Sequence, residues 1–181
     1  DKGTSNSRNL AMLHMKGDIG VFLDDDVVLE HDSMIRIANA YIEHKDADII
    51  TFQSQYFSGK YFKSYSDNSF KHNKYTLKNI SDIEITFRKT IIEKKVLFNT
   101  LFGLGAKFPL GEYLIFLTDC YNAESNMYYV PGVIVKHPDC LHSGIQFIQN
   151  YEEGRGALFA CLSKYLFPFM IFYFAIRKYS M

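Results

Sequence analysis

Apolar and polar positions alternate along the chain in short blocks that predict strands and helices in turn. Five apolar runs have the length of a strand: residues 18–23, 27–29, 48–53, 83–87 and 127–135. Helical patterns mark four other stretches: residues 3–17, 32–45, 88–95 and 112–122. Because these elements alternate without an internal repeat, the pattern predicts an α/β layered domain.

Several segments depart from this regular pattern. Residues 18–23 form an apolar run of the kind that is typical of a buried parallel strand. Pro131-Gly132 interrupts the last run and predicts a turn or bulge. Residues 54–79 are rich in Ser, Asn, Lys and Tyr and predict a long surface excursion, which is uncommon unless it is functional. Residues 101–111 contain three glycines and one proline, so we expect an irregular loop that lines a site.

The C-terminal stretch, residues 157–176, is almost entirely apolar. A helix that spans a membrane needs about 20 apolar residues, and Lys164 leaves only residues 165–176 uncharged. This pattern favours a segment that lies in the membrane interface, with Arg177 and Lys178 at the headgroups. The alternative is a helix that packs on the protein core.

Composition excludes some classes of protein. Apolar residues make up 48% of the 181 residues and the formal net charge is zero, so the chain is not disordered. No basic excess is available to neutralise phosphates, and we expect no nucleic-acid partner. Three cysteines without metal-type spacing favour reduced thiols and a cytoplasmic location.

Three consecutive aspartates, Asp24, Asp25 and Asp26, follow the apolar run at residues 18–23. Carboxylates this close repel one another, and a divalent cation removes that repulsion. Oxygen ligands suit Mg²⁺ or Mn²⁺, which also bind substrate phosphates. Ligands of open α/β sheets bind beyond the carboxyl ends of the strands. The position therefore predicts a metal–diphosphate site, and a solvated acidic turn is the alternative.

The motif order resembles that of a GT-A-fold, family-two glycosyltransferase of bacterial type. Such enzymes carry a G-x-S-x-x-R-N stretch, which residues 3–9 (GTSNSRN) match, and then a strand that ends in Asp-x-Asp, as residues 22–26 (FLDDD) do. Residues 102–112 resemble the acceptor-side loop and the acidic motif of that family. Residues 129–138 resemble its late strand ending in histidine, and residues 151–160 resemble its arginine segment.

The resemblance implies roles on the donor side. Asp26 would bind the metal, and Asp24 would bind the metal or the donor ribose. Asp25 would lie near the donor sugar. Arg8, followed by Asn9, would hold the nucleotide or its phosphates.

The resemblance also implies roles for later residues. Glu112 would be the general base, although Tyr113 breaks the acidic pair of the family. Gly105 and Gly111 would contact substrate, and His137 would be a third metal ligand or contact the diphosphate. Arg155 would contact the diphosphate or an acceptor phosphate. Structural roles are the alternatives: a first-turn helix glutamate, a histidine that only packs, and an exposed arginine at a helix start.

The fold expected from the resemblance is a partial GT-A-like mixed sheet flanked by helices at residues 1–156, followed by an apolar helical segment at 157–181. The activity implied is metal-dependent transfer of a sugar from a nucleotide-sugar donor to a saccharide or lipid-linked acceptor, with inversion, at the inner face of the cytoplasmic membrane. The strands that cradle the nucleoside are expected to precede residue 3, so we expect the chain to be part of a larger enzyme. A nucleotidyltransferase and a non-catalytic fragment that binds nucleotide sugar and metal are the alternatives.

Overall fold

A mixed β-sheet of six strands is the centre of the structure, a computed structural model that describes residues 2–139, 151–162, 172, 173 and 176. The elements follow in the order α1 (Thr4–Leu13), β1 (Ile19–Val21), β2 (Val28–Leu29), α2 (Ser33–Glu43), β3 (Ile49–Tyr56), β4 (Phe70–Lys71), β5 (Ile85–Arg88), α3 (Thr90–Glu93), α4 (Glu112–Asn122), β6 (Met127–His137) and α5 (Tyr151–Leu162). Two 3₁₀ turns, Leu77–Asn79 and Asp82–Glu84, precede β5. The predicted α/β class is confirmed.

The strand order is β1-β5-β3-β6-β2, and β4 pairs with β6 away from this path. Strands β3 and β6 are parallel, and every other pairing is antiparallel. Thr51 pairs with Tyr129 whereas Gln53 pairs with Val133, so β6 carries two extra residues between these positions. This irregularity contains Pro131 and confirms the predicted bulge.

Strand β1 corrects one expectation from the sequence. It pairs antiparallel with β5, with Ile19 opposite Arg88, and it is half-buried rather than buried. Gly20 lies under the ring of Phe87, where a Cβ atom would come within 2.4 Å of the ring. Phe22 then stacks on the same ring at 4.7 Å between centroids. The apolar run reflects this packing, since periodicity alone does not reveal strand direction.

The described residues divide into two compact units. The first draws on the ranges Asp1–Ala11, Leu97–Thr118 and Ser143–Met181, and the second on Met12–Val96 and Asp119–His142. The second unit contains the whole sheet and α2, whose buried residues Ile37, Ala40 and Tyr41 join the core on one face of the sheet. This burial of apolar side chains is the main stabilising contribution to the second unit.

The predicted boundary after residue 156 falls within α5, which runs from Tyr151 to Leu162. Of the apolar segment at 157–181, only residues 157–162, 172, 173 and 176 lie in the described part of the chain. No helix among the described residues has the length and apolar character needed to cross a membrane. The interfacial role of this segment stays a prediction.

Residues 54–79 are more than a surface excursion. Strand β3 continues to Tyr56, and β4 pairs with β6 with Phe70 opposite Tyr129. His72 and Leu77 are buried. Much of the segment therefore packs against the sheet.

Candidate active site

A carboxylate and an imidazole meet at one edge of the sheet in the second unit. The chain turns after β1 at Asp24–Asp26 and returns as β2, which pairs antiparallel with the end of β6. His137 is the last residue of β6. This places the Oδ2 atom of Asp26 3.5 Å from the Nε2 atom of His137, and we call these two side chains the Asp26–His137 pair.

The hydrogen-bond partner of Nδ1 shows which ring nitrogen of His137 carries the proton. Nδ1 lies 2.7 Å from the carbonyl oxygen of Pro138, which accepts hydrogen bonds only. Nδ1 must therefore carry the proton, and in the neutral ring Nε2 presents a lone pair to Asp26. Two lone-pair atoms that face each other need a proton or a cation between them. A backbone carbonyl that orients the far nitrogen is the arrangement found for histidine ligands of metals.

Two aromatic rings that sequence reasoning did not single out surround His137. The rings of Tyr56 and Phe62 stack on each other at 4.3 Å, and each presents an edge-type contact to the imidazole, at 6.4 and 5.6 Å. Tyr56 is the register partner of His137 in the parallel β3–β6 pairing. In the sequence, the sign of these rings is that aromatic residues occur within the polar stretch 54–79.

The other aspartates of the turn differ in exposure. Asp24 is half-buried, whereas Asp25 and Asp26 are exposed, with 53% of the Asp26 side chain accessible. Among the described residues, no three side chains of His, Cys, Asp or Glu gather closely enough to hold a metal ion. Of the three predicted metal ligands Asp24, Asp26 and His137, the structure therefore brings Asp26 and His137 close together.

A second polar pair lies in the first unit. Arg8 on α1 forms an ion pair with Glu112, the first residue of α4, at 3.2 Å between Nη1 and Oε1. Both side chains are mostly buried, at 17% and 13% exposure. The guanidinium also lies 4.2 Å from the centroid of the Tyr113 ring and 5.8 Å from that of Phe98. Aromatic faces and a carboxylate therefore fix the position of Arg8.

Comparison with known proteins assigns the chain to a family. The model of glycosyl transferase family 2 matches residues 1–118. This chain belongs to glycosyl transferase family 2. No curated protein matches it significantly. The resemblance seen in the motifs is confirmed.

Solved structures of S. aureus TarS have a similar fold. The crystal structure of S. aureus TarS 1-349 in complex with UDP-GlcNAc matches with a TM-score of 0.67 and 12% identity, over 88% of this chain and 46% of that chain. S. aureus TarS 1-349 without ligand matches with a TM-score of 0.57 and 14% identity, over 91% of this chain and 51% of that one. The chain thus spans about half the length of these structures. The likeness confirms the GT-A-type fold.

Within this family 2 fold, Asn9 has a structural place. Its side-chain amide donates to the carbonyl oxygen of Phe98 at 2.9 Å and accepts from the amide of Phe98 at 2.7 Å. The hydroxyl of Ser5 donates to the carbonyl oxygen of Phe102 at 2.6 Å. The side chain of Asn9 thus holds the segment that follows residue 96, and its expected contact with substrate stays a prediction.

The predicted glycines serve close packing in the loop of the first unit. Gly105 has φ +78°, and a Cβ atom there would come within 3.3 Å of Gly3. Gly111 has φ +88° and lies against Leu158. These backbone requirements explain the glycines without a ligand, and their contact with substrate stays a prediction.

Arg155 lies inside α5 rather than at its start. Its guanidinium donates to the hydroxyl of Tyr151, one turn earlier, at 3.2 Å. The structure shows Arg155 in this local contact, and its proposed phosphate contact stays a prediction.

Proposed function

We propose that this chain is part of a glycosyltransferase that moves a sugar from a nucleotide-sugar donor to a saccharide acceptor with the help of a divalent cation. The observation that carries the proposal is the Asp26–His137 pair, in which Nε2 of His137 faces a carboxylate oxygen at 3.5 Å. Membership of glycosyl transferase family 2 favours sugar transfer over the nucleotidyltransferase alternative.

The chemistry of the donor atoms fits a cation. An imidazole nitrogen with a lone pair and a carboxylate oxygen both suit Mn²⁺, and the Pro138 carbonyl holds the imidazole in the required tautomer. Two protein ligands leave room for the oxygens of a diphosphate, as is usual for Mg²⁺ and Mn²⁺ sites. When bound, such a cation would supply positive charge that stabilises the diphosphate leaving group. Asp24 and Asp25 are proposed contacts of the donor.

The chain's own residues have distinct proposed tasks in the first unit. Arg8 is a fixed cation for phosphate or nucleotide, and Glu112 is the general base that takes the proton of the acceptor hydroxyl. The ion pair between them supports this assignment only in part, because Glu112 already accepts from Arg8. A phosphate that binds Arg8 in place would compete for its N–H donors and so leave a Glu112 oxygen available to the acceptor hydroxyl.

The finer features of the reaction also remain proposals. The acceptor is a growing, lipid-linked saccharide, and transfer proceeds with inversion. The location proposed is the inner face of the cytoplasmic membrane, with the apolar segment 157–181 in the interface. For the donor, the UDP-GlcNAc in the TarS structure makes this nucleotide sugar the first probe to test.

The test is titration of UDP-GlcNAc with and without Mn²⁺, by calorimetry, on a protein that contains this chain and the rest of the relatives' length, and on two variants of that protein. We expect binding that depends on Mn²⁺ and falls at least about tenfold in Asp26→Asn and His137→Ala, the range typical for loss of groups that hold a metal. Asp46→Asn is the matched control, because Asp46 is an exposed aspartate of the same unit whose recorded contact is with Tyr128.

Three outcomes decide the matter. Mn²⁺-dependent binding accompanied by release of UDP supports the enzyme. Tight binding without turnover, in a protein that also contains the rest of the relatives' length, favours a non-catalytic binding module. Binding that does not change in Asp26→Asn or His137→Ala contradicts the proposed site.

A further inference from the structure

A cavity of about 360 Å³ lies in the second unit between the sheet and the segment that follows β3. Its floor includes Thr51 and Tyr129, which are register partners in the β3–β6 pairing. His137 is paired with Tyr56, five residues further along β3, so Thr51 lies about 16 Å along the strand from the register partner of His137. Cavities that hold small ligands begin at about 300 Å³, which makes this one large enough for a single small molecule.

Three aromatic rings form apolar faces in the cavity. The rings of Tyr65 and Tyr129 are parallel within 4°, with centroids 6.4 Å apart. Phe70 stacks on Tyr129 at 4.9 Å, and 37% of Phe70 is exposed. An accessible phenyl ring beside two tyrosines offers a flat apolar contact to a ligand.

The charged groups in the wall neutralise each other. Glu84 is 2% exposed and accepts from Lys63 at 2.7 Å, from Tyr65 at 2.5 Å, from Ser54 at 3.0 Å and from the amide of Ser81 at 3.0 Å. We call these five residues the Glu84 network. Since one cation and one anion are paired, the wall presents no net charge to a ligand.

The histidine in the wall is also held by hydrogen bonds. Nε2 of His72 lies 2.8 Å from the hydroxyl oxygen of Thr51, and Nδ1 lies 2.9 Å from that of Thr76. Burial, assisted by the charge of Lys63, lowers the pKa of His72 to about 4. The imidazole is therefore neutral at neutral pH.

Polar groups at the rim complete the lining. Ser64 and Asn79 are exposed and line the cavity, and no hydrogen bond of the Ser64 hydroxyl or the Asn79 side-chain amide is recorded within the described residues. The cavity thus combines aromatic faces, neutral hydroxyl and amide groups, and no net charge. A pyranose ring has the matching chemistry, because it presents apolar C–H faces and a rim of hydroxyl groups.

We propose that this cavity binds one sugar ring of a neutral saccharide. A phosphorylated or acidic ligand would find no unpaired cation among the groups described above, and a purely apolar one would leave Ser64 and Asn79 without partners. On the proposed function, on which this step rests, the ring would belong to the acceptor chain, at a distance from the reacting end. Binding of a free sugar does not itself depend on that function.

Saturation-transfer NMR on the full chain tests the proposal with glucose, galactose and N-acetylglucosamine as neutral probes. Glucose 6-phosphate and cyclohexanol are the charged and apolar comparisons. Phe70→Ala removes the exposed ring, and Ser64→Arg fills the mouth from an exposed position. Tyr75→Ala is the matched control, because Tyr75 is a 69% exposed aromatic residue of the same segment that does not line the cavity.

We expect at least one neutral sugar to bind, with affinity about fivefold lower in Phe70→Ala and Ser64→Arg and unchanged in Tyr75→Ala. Absence of binding by all three neutral sugars, binding that both variants retain, or stronger binding of glucose 6-phosphate or cyclohexanol would overturn the proposal. Titration of the longer protein, which also contains the rest of the relatives' length, with UDP-GlcNAc and Mn²⁺ keeps the two ideas separate. Sugar binding without nucleotide binding would contradict the proposed function alone, and the reverse would contradict the cavity alone.

Discussion

The Glu84 network and the Asp26–His137 pair are two polar regions of the second unit that treat a carboxylate in opposite ways. Glu84 is almost fully buried and receives four hydrogen bonds, one of them from a lysine. The Asp26 side chain is 53% exposed, and its recorded contact within the described residues is an imidazole nitrogen at 3.5 Å. Donors of the fold thus saturate the carboxylate of Glu84, whereas about half of the Asp26 side chain is accessible to solvent.

The two histidines of these regions show the same contrast. His72 has a hydroxyl group at each ring nitrogen, so its hydrogen-bonding capacity is used within the protein. His137 uses Nδ1 on the Pro138 carbonyl and turns Nε2 toward Asp26. The direction of the second nitrogen therefore distinguishes a structural histidine from a candidate ligand.

The largest effect is expected from Glu84→Ala. Removal of this carboxylate leaves Lys63 and Tyr65 without their acceptor in a mostly buried place, and we expect the free energy of unfolding to fall by about 3 kcal/mol. Urea denaturation followed by circular dichroism measures it. Glu43→Ala, at an exposed glutamate of α2, is the matched control and should change stability by less than about 0.5 kcal/mol. If the two variants lost similar amounts of stability, the Glu84 network would contribute no more to the free energy of unfolding than an exposed glutamate does.

The second effect concerns pH. His72 has a pKa of about 4 in the folded protein, against an ordinary value of 6.5 in the unfolded chain, because burial and the charge of Lys63 disfavour its protonated form. Between these two values the unfolded chain binds a proton that the folded protein does not. Stability that is complete above about pH 6.5 is therefore lost as the pH falls toward 4, by about 2 kcal/mol between about pH 7 and about pH 5.

His72→Gln separates this contribution from that of the carboxylates. Glutamine does not titrate, so the variant should lose less stability than the parent protein over the same pH interval, whatever its stability at neutral pH. Urea midpoints measured at several pH values provide the comparison. Parallel pH profiles for the two proteins would mean that His72 titrates normally.

Local sequence patterns single out the residues of the Asp26–His137 pair but not those of the Glu84 network. Three aspartates after an apolar run, and a histidine at the end of a later strand, are local patterns that predict where strand ends present ligands. Glu84, by contrast, sits in a run, residues 83–87, that alternates as an ordinary strand. Its partners Lys63 and Tyr65 are about 20 residues away in a segment predicted to be a surface excursion.

The same limit explains the remaining differences. The antiparallel direction of β1 depends on packing of Phe22 and Gly20 against Phe87, far along the chain. The bidentate contact of Asn9 with the backbone of Phe98 is equally non-local. Residue spacing reveals which side of an element is apolar, but not which distant groups donate to a given side chain.

A smaller effect on the free energy of unfolding is expected at the Asp26–His137 pair when a metal is present. If Mn²⁺ binds the folded protein alone, a concentration ten times its dissociation constant raises the free energy of unfolding by about 1.4 kcal/mol. We expect this gain in the unmodified chain and its loss in His137→Ala. His31→Ala, which removes an exposed histidine of the same unit, should keep it. A gain that survives in His137→Ala would place the cation elsewhere.

The smallest effect is expected when the same chemical change, carboxylate to amide, is made at Asp26 and at Glu84 in the absence of metal. Asp26→Asn removes one negative charge from three consecutive aspartates and leaves the shape of the side chain, so we expect stability to change by less than about 0.5 kcal/mol, with a gain rather than a loss. Glu84→Gln is the same chemical change in the Glu84 network. It should be clearly destabilising, because an NH₂ group then faces hydrogen-bond donors. If Asp26→Asn raises the free energy of unfolding without metal and Glu84→Gln lowers it, the negative charge of Asp26 destabilises the fold. A clear loss of stability in Asp26→Asn would instead make Asp26 a structural residue, and the case for a cation there would fail.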